Sequence, residues 1–295
     1  MLPIRRIAGD LREVRWGHVL VEFVMLVVGI LLALAVNNWV EERRDARIER
    51  QYLERLVRDF DADLALLADM ADFERRQVAA GAMAWRALAD PASIDDREAV
   101  ATALVQLGAR RTLRLTRAAY TDLTSTGNLR LIGDGALRDR IVGLYEENDR
   151  VSAIIDRNNQ FYVDDMYAAY LAEDGLVARR AASNIQRLQQ ANQRMVQVMG
   201  GVPGVTDDRL WGLPPDATVW AELRNRVWMR TLVSQSALSF FESTIERTLA
   251  ARAAVIAELD RRWPGSGTAL GDAPATMSAA PPSSSATTSP AEAGR

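Results

Sequence analysis

The sequence predicts an all-α protein, with an N-terminal transmembrane helix continuing into an elongated antiparallel helical bundle. Three observations predict it. An eighteen-residue apolar run, Val19 to Val36, carries one charge, Glu22. Apolar residues then recur at helical spacing through most of the chain. No Pro or Gly falls between Gly29 and Gly81, so a single helix can join the apolar run to the chain beyond it. Of the 295 residues, 48% are apolar and 25% charged, a mixture that folds into a packed body rather than staying disordered.

Four segments are expected: a short N-terminal tail at 1–18, a transmembrane helix at 19–40, a helical bundle at 41–263 and a disordered tail at 264–295. Trp16 and Trp39 flank the apolar run. The twenty-three steps between them rise ~34 Å, which matches a hydrocarbon core of ~30 Å and its edges. Tryptophans at both ends suit membrane interfaces. Arg5, Arg6, Arg12 and Arg15 precede the run, and Arg43, Arg44, Arg47 and Arg50 follow it. A buried core helix is the competing reading, but no other segment has this apolar density. A cleaved signal peptide is the other, since Ala33-Leu34-Ala35 is an A-x-A site. Against cleavage, no helix breaker separates the run from that site, and the helical pattern continues beyond it.

Within the span, Glu22 either snorkels to the headgroups or pairs within an oligomer. Gly29 and Ala33 form a small-xxx-small pair on one face, which lets two helices approach closely. Arginine numbers on the two flanks are nearly equal, so orientation rests on the difficulty of translocating the short basic tail. That argument places the N-terminus inside and the large domain in the periplasm of a bacterial inner membrane.

Past the membrane, Leu53, Leu56, Phe60, Leu64, Leu67 and Ala71 form a helical stripe with steps of 3, 4, 4, 3 and 4. Asp90-Pro91 ends the following Ala-rich segment. Ser93 and Asp96 resemble a capping box before a short helix carrying Val100, Leu104 and Leu107, which stops near Gly108. Residues 110–117 alternate briefly and read as strand or turn. A further short helix from Arg117 ends at Gly127-Asn128. From Asp134 a long helix places Leu137, Ile141, Leu144, Asn148, Val151, Ile155, Asn158 and Tyr162 on a coiled-coil-like heptad seam. Its asparagines either set register or mark partial exposure.

After Asp174-Gly175, Ile185, Leu188, Asn192, Met195 and Met199 suggest another helix. A Gly/Pro-rich loop covers 200–215, in which Trp211 needs a place to dock. A helix from about Asp216 to Arg262 buries Trp220, Leu223, Val227, Ser234, Leu238, Phe241 and Ile245, then Val255 and Leu259. Pro264 stops it. The remaining residues are rich in Pro, Ser, Ala and Thr and lack large apolar side chains.

Two stretches carry a resemblance. VEFVMLVVGILLALAVNNWVEERRDARIERQYLERL, residues 21–56, resembles a widespread, uncharacterised family of bacterial single-pass membrane proteins. It shares the acidic residue at the head of the span, the VVGILLAL centre, the Asn-Asn-Trp-x-Glu-Glu-Arg exit and a Tyr-Leu-x-x-Leu in the stalk. A second block includes Tyr120, Leu123, Ser125, Gly127-Asn128-Leu129 and Ile132, then Leu137-Arg138 and Leu144-Tyr145. Together they cover roughly half of the chain. The resemblance implies topology and no activity.

Chemistry is constrained by absences. All 36 basic residues are arginine, and the chain has no cysteine, no lysine and one histidine, His18. Thiol, Schiff-base, P-loop and Ser-His-Asp chemistry are therefore excluded. A net charge of −3 argues against bulk nucleic-acid binding. Asp59, Asp61 and Asp63, and the pairs Asp164-Asp165 and Asp207-Asp208, lack calcium-loop spacing and read as charged helix faces. No cofactor and no metal is expected. Arg110, Arg111, Arg114 and Arg117 form the densest basic patch outside the membrane flanks. They either contact an anion or form a salt-bridged face.

The expected function is a membrane-anchored interaction or scaffold protein without catalytic activity. Its partners are the lipid bilayer and a second copy or other envelope proteins. A sensor binding a small anionic ligand or lipid headgroup is the alternative. An enzyme working with Asp, Glu, Arg and Tyr alone is the remaining class.

Overall fold

A computed structural model describes residues 16–173, 194, 197–198 and 209–266. Among these residues every regular element is helical. Residues 1–15 of the N-terminal tail expected at 1–18, the helix carrying Ile185, Leu188, Asn192, Met195 and Met199, most of the Gly/Pro-rich loop and the tail beyond 266 lie outside the described residues, while residues 16–18 belong to the first helix.

The first helix, α1, runs Trp16–Ala87 as 72 unbroken residues, a rod of ~108 Å. It is long and apolar enough to cross a membrane, with a mean hydropathy of 2.5 over its apolar window and none of that window buried. The helix passes through Gly81 because the glycine is needed for packing. A Cβ there would lie 1.9 Å from Thr231 Oγ1. The chain turns at Asp90-Pro91, as Pro91 opens a 3₁₀ turn, Pro91–Ser93.

That turn corrects the expected cap. Pro91 draws Ser93 into the turn, where its hydroxyl donates to the Asp90 carbonyl at 3.1 Å. Asp96 caps instead, accepting from the Ala99 N–H at 2.8 Å. The helix α2, Arg97–Leu107, then ends at Gly108.

Residues 109–117 form no regular element and belong to no strand. Their groups bond to side chains of the flanking helices rather than to a neighbouring strand, which removes the strand alternative. Helix α3 spans Ala118–Ser125. It is followed by Gly127 at φ 71°, a left-handed turn position suited to glycine, and by a 3₁₀ turn, Asn128–Leu131. Asp134 caps α4, Gly135–Asn158, by accepting from the Leu137 N–H at 3.1 Å.

The seam of α4 runs as expected through Leu137, Ile141, Leu144, Asn148, Val151 and Ile155. It then departs from the heptad. Residues Asn159–Ala168 form a π-helix, continued by α5, Ala169–Glu173. The buried positions become Asn159, Val163, Tyr167 and Leu171, each four residues after the last. Asn158 and Tyr162 thus fall off the seam by one residue, because i→i+5 bonding widens the turn beyond the α period.

Helix α6, Thr218–Arg262, buries Trp220, Leu223, Val227, Ser234, Leu238, Phe241, Val255 and Leu259. Ile245 is only half-buried, and Thr244 and Thr248 take the inner face. Their hydroxyls donate to the carbonyls one turn back, both at 2.8 Å, so burial leaves them satisfied. On α1, Leu64 is half-buried and Asp63 fully buried.

Partners descend along α6 as they ascend along α1. Glu49 meets Arg262, Asp61 meets Arg252, Arg75 meets Glu242 and Trp85 meets Arg224. Three apolar clusters line up between these helices. The one nearest the apolar segment joins Leu53, Leu56 and Phe60 to Leu123, Ile141 and Val255. The middle one gathers Leu67, Met70, Val151 and Phe241. The far one packs Ala84 and Leu88 against Leu104, Tyr167 and Leu223. Trp211 docks at this far end against Trp220, ring centroids 6.1 Å apart.

Candidate functional site

Residues 110–117 cross between α1 and the α4–π helix as a strap. Each of its four arginines has a carboxylate. Arg110 pairs with Asp164 at 2.8 Å, Arg111 with Asp69 at 2.5 Å, Arg114 with Asp156 at 2.9 Å, and Arg117 with Asp149. Arg111 also lies over the Phe73 ring at 4.8 Å. Asp149, Asp156 and Asp164 stand seven and eight residues apart, two turns each. The longer step falls where the π-helix widens the turn.

Backbone groups complete the clasp. Asp63 accepts from the Thr116 N–H at 2.7 Å, and Asp59 accepts from the Ala119 N–H at 3.0 Å. Arg117, at the N-cap of α3, makes no capping bond, so Asp59 caps that helix from α1. The Asn159 amide donates to the Arg111 carbonyl at 2.8 Å. Burial pushes the Asp63 carboxyl up from its ordinary value, against the Thr116 hydrogen bond that draws it down. The strap therefore has its charge compensated one for one. Its ion pairs are partly exposed and each is worth ~0–1 kcal/mol, so the clasp acts through number and register.

The two blocks that carry the family resemblance meet in space. The Asn128 amide donates to the Tyr52 hydroxyl at 3.3 Å. Arg55 donates to Asp122 at 2.7 Å, and that hydrogen bond holds the Asp122 carboxyl below its ordinary value. Tyr120 stacks on Tyr145 with centroids 4.1 Å apart. Leu53 and Leu56 share a core with Leu123, Leu129, Ile132, Leu137 and Leu144. The Tyr-Leu-x-x-Leu residues of the first block are thus contact residues between α1 and the body, while its VVGILLAL centre is mostly, and its Asn37-Asn38-Trp39 exit wholly, exposed.

A buried polar centre lies between the middle and far clusters. Arg230 is 1% exposed. It donates to the Leu107 carbonyl at 2.8 Å, the Ala109 carbonyl at 3.1 Å and the Ser234 hydroxyl. Glu74 Oε2 lies 4.0 Å away and makes no hydrogen bond. Burial raises the Glu74 carboxyl and lowers the Arg230 guanidinium from their ordinary values, while each draws the other back. Tyr167 donates to the Leu104 carbonyl at 2.8 Å beside them. The end of α2 is thereby held by side chains from both other long elements.

Sequence reasoning missed Arg230. The signal was a gap: the stripe Trp220, Leu223, Val227, Ser234 skips one turn, and Arg230 fills it. Glu22, Gly29 and Ala33 lie on the apolar part of α1, where all three are exposed. No atom stands within 4 Å of a Cβ added at Gly29. Among the described residues no group of three or more His, Asp or Glu is placed to hold a metal ion. Asp61 is taken by Arg252 and Asp164 by Arg110, while Asp207 and Asp208 lie outside the described residues.

Residues 22–167, just under half of the chain, match a family of unknown function (DUF6090). No curated protein and no solved structure gives a match. The matched stretch runs from the apolar segment to the π-helix. It therefore contains the strap, both of its acidic ladders and the two meeting blocks.

Proposed function

We propose that this chain is a single-pass protein of the bacterial inner membrane whose segment 19–40 anchors an elongated antiparallel helical bundle. The bundle serves as a non-catalytic interaction or scaffold module. Its N-terminus faces the cytoplasm and its body the periplasm. It acts on a second copy of itself or on other envelope proteins. The coiled-coil character of α4 belongs to the same reading.

The observation that carries it is the continuity of α1. One unbroken helix joins the apolar segment to the body, so the body is held at fixed height and azimuth. Trp85 lies 46 residues beyond Trp39, ~69 Å along the rod. There Trp228, 53% exposed, and Leu232 present apolar surface beside Trp85. Mounting an apolar patch rigidly and far from the bilayer suits contact with a partner better than it suits chemistry on a small molecule. The compensated strap, for its part, lacks a free cation for an anionic ligand.

The test is photo-crosslinking in native membranes from a reactive residue placed at Trp228 or Leu232 of the full chain, with Arg58 and Arg140 as exposed controls. Discrete adducts from the apolar sites and none from the controls are expected, with twice the chain mass marking a homodimer. Absence of adducts from both apolar sites would remove the interaction reading. Reporters fused after residue 262 test orientation, and a cytoplasmic signal would reverse it.

A further inference from the structure

Along most of the helical body, carboxylates and guanidiniums meet at close range. The foot of the body is different. An open cleft of about 520 Å³ lies between the first turns of α1 beyond the apolar segment and the turn before α4. Glu42, Asp45 and Glu49 line one side, and Arg130, Gly133 and Arg262 the other. Its back wall is neutral. Glu49, with its side chain 2% exposed, is paired with Arg262 and accepts from the Gly133 N–H at 3.1 Å.

The mouth is not neutral. Glu42 and Asp45 are one turn apart on the same helix face, and Arg130 stands across from them. All three are exposed. Among the described residues none of the three forms an ion pair, with each other or with anything else. Two carboxylates thus share an open cleft with an unpaired guanidinium.

Height identifies what can reach it. Arg43 lies over the Trp39 ring at 4.0 Å, an aromatic and cationic pair that suits the interface. Glu42 and Asp45 follow Trp39 by three and six residues, ~5 and ~9 Å along the axis. The headgroup layer extends ~5–7 Å beyond the hydrocarbon, so the mouth opens at the outer edge of that layer, with Glu42 within it and Asp45 just beyond it. A headgroup there must carry both signs. A phosphodiester takes the guanidinium fork, and a primary ammonium donates to the two carboxylates. A quaternary ammonium has no proton to donate and needs an aromatic cage, and no aromatic ring lines this cleft. A purely anionic headgroup meets Glu42 and Asp45 head-on.

We propose that this cleft binds a phosphoethanolamine headgroup carried on a membrane lipid. The proposal rests on α1 crossing the bilayer. The experiment uses the full chain in detergent, offered equal amounts of phosphatidylethanolamine, phosphatidylcholine and phosphatidylglycerol, with retained lipid weighed by native mass spectrometry. Wild type is expected to retain the ethanolamine lipid about tenfold over the other two. The double variant Glu42→Gln/Asp45→Asn is expected to lose that preference, and Arg130→Gln to retain less of all three. All three side chains are exposed and unpaired, so the fold is expected to survive, and circular dichroism verifies it. Equal retention of the three lipids by wild type, or a preference unchanged in both variants, would overturn the assignment. Soluble glycerophosphoethanolamine, which keeps the phosphodiester and the primary ammonium, is expected to compete only in large excess; displacement at equimolar amounts beyond matched salt would overturn the lipid as source and leave the free zwitterion. Flotation with phosphatidylcholine vesicles reports membrane insertion separately. A chain that does not float contradicts the span, and the soluble ligand then reads the cleft alone.

Discussion

Arg230→Met is the substitution for which the geometry predicts the largest loss. The wild-type guanidinium satisfies two carbonyls at the end of α2, the Ser234 hydroxyl and the nearby charge of Glu74. Methionine fills similar volume, so little of the loss comes from a cavity. What remains is a buried carboxylate without its cation and two buried carbonyls without donors. Breaking a buried pair costs ~3–5 kcal/mol, and for a body of this size each kcal/mol moves Tm by ~2–4 °C. A fall of about 10 °C is therefore expected. Glu74→Gln leaves the three hydrogen bonds of Arg230 in place and is expected to cost only ~1 kcal/mol. In the double variant Glu74→Leu/Arg230→Met the stranded carboxylate is gone, so it is expected to be more stable than the sum of its singles by at least ~1.5 kcal/mol. The assay is thermal unfolding of the full chain in detergent, followed by far-ultraviolet circular dichroism and tryptophan fluorescence. Acid adds a signature. Because burial raises the Glu74 carboxyl above its unfolded value, the folded state binds the extra proton across that window. Stability from this group is then highest at or below the ordinary carboxyl range and falls as pH rises through the raised value. Glu74→Gln is expected to lack that slope. A Tm change under about 2 °C for Arg230→Met, or no coupling in the cycle, would refute the account of this centre.

Three further substitutions probe the frame. Gly81→Ala would put a Cβ 1.9 Å from Thr231 Oγ1, so α1 and α6 must separate locally. A loss of ~1–3 kcal/mol is expected in thermal melts, partly relieved by Thr231→Ala. Asp59→Ala removes the acceptor of the Ala119 N–H and is expected to cost ~1 kcal/mol, with faster amide exchange confined to the start of α3. Arg111→Ala breaks a partly exposed pair and is expected to cost at most ~1 kcal/mol, with the difference from wild type shrinking in high salt. Inorganic phosphate is expected to raise Tm no more than chloride at equal ionic strength, since all four strap arginines already hold carboxylates. A specific phosphate effect lost in Arg114→Ala would restore the anion-contact reading.

The elements that were legible before the structure share a local cause. The absence of breakers between Gly29 and Gly81 forces one helix. Gly108, Gly127 and Asp134 mark ends by backbone conformation or capping. Those signals reside in the residue itself. What was not legible depends on a change of helix type or turn next to the residue, or on a distant partner. The heptad through Asn158 and Tyr162 is a correct reading of spacing under an α period, and only the π-helix shifts the seam to Asn159 and Val163. The Ser93 cap fails because Pro91 redirects the turn. The strap arginines show their number in the sequence but not their partners, which lie 32 to 54 residues away. Arg230 is the hardest case, since a charged residue on an apolar stripe reads as an interruption until its acceptors on α2 are in view.

The family match ends at residue 167, before α6 begins. Yet α6 supplies the cations for much of the inner face of α1: Arg262 for Glu49, Arg252 for Asp61 and Arg230 for Glu74. Glu49 and Glu74 are buried acids, and a buried carboxylate without a cation costs several kcal/mol. The matched region therefore does not hold a complete set of charges by itself. Either this helix or an equivalent cationic element must close the face that α1 presents. The strap works on the opposite principle, because its arginines and both acidic ladders fall inside residues 22–167. The strap and its two acidic ladders are thus matched in charge within that region, and they form the frame. The closing helix carries the exposed Trp228 and Leu232, so on the scaffold reading the frame sets the height above the membrane and α6 sets what is met there.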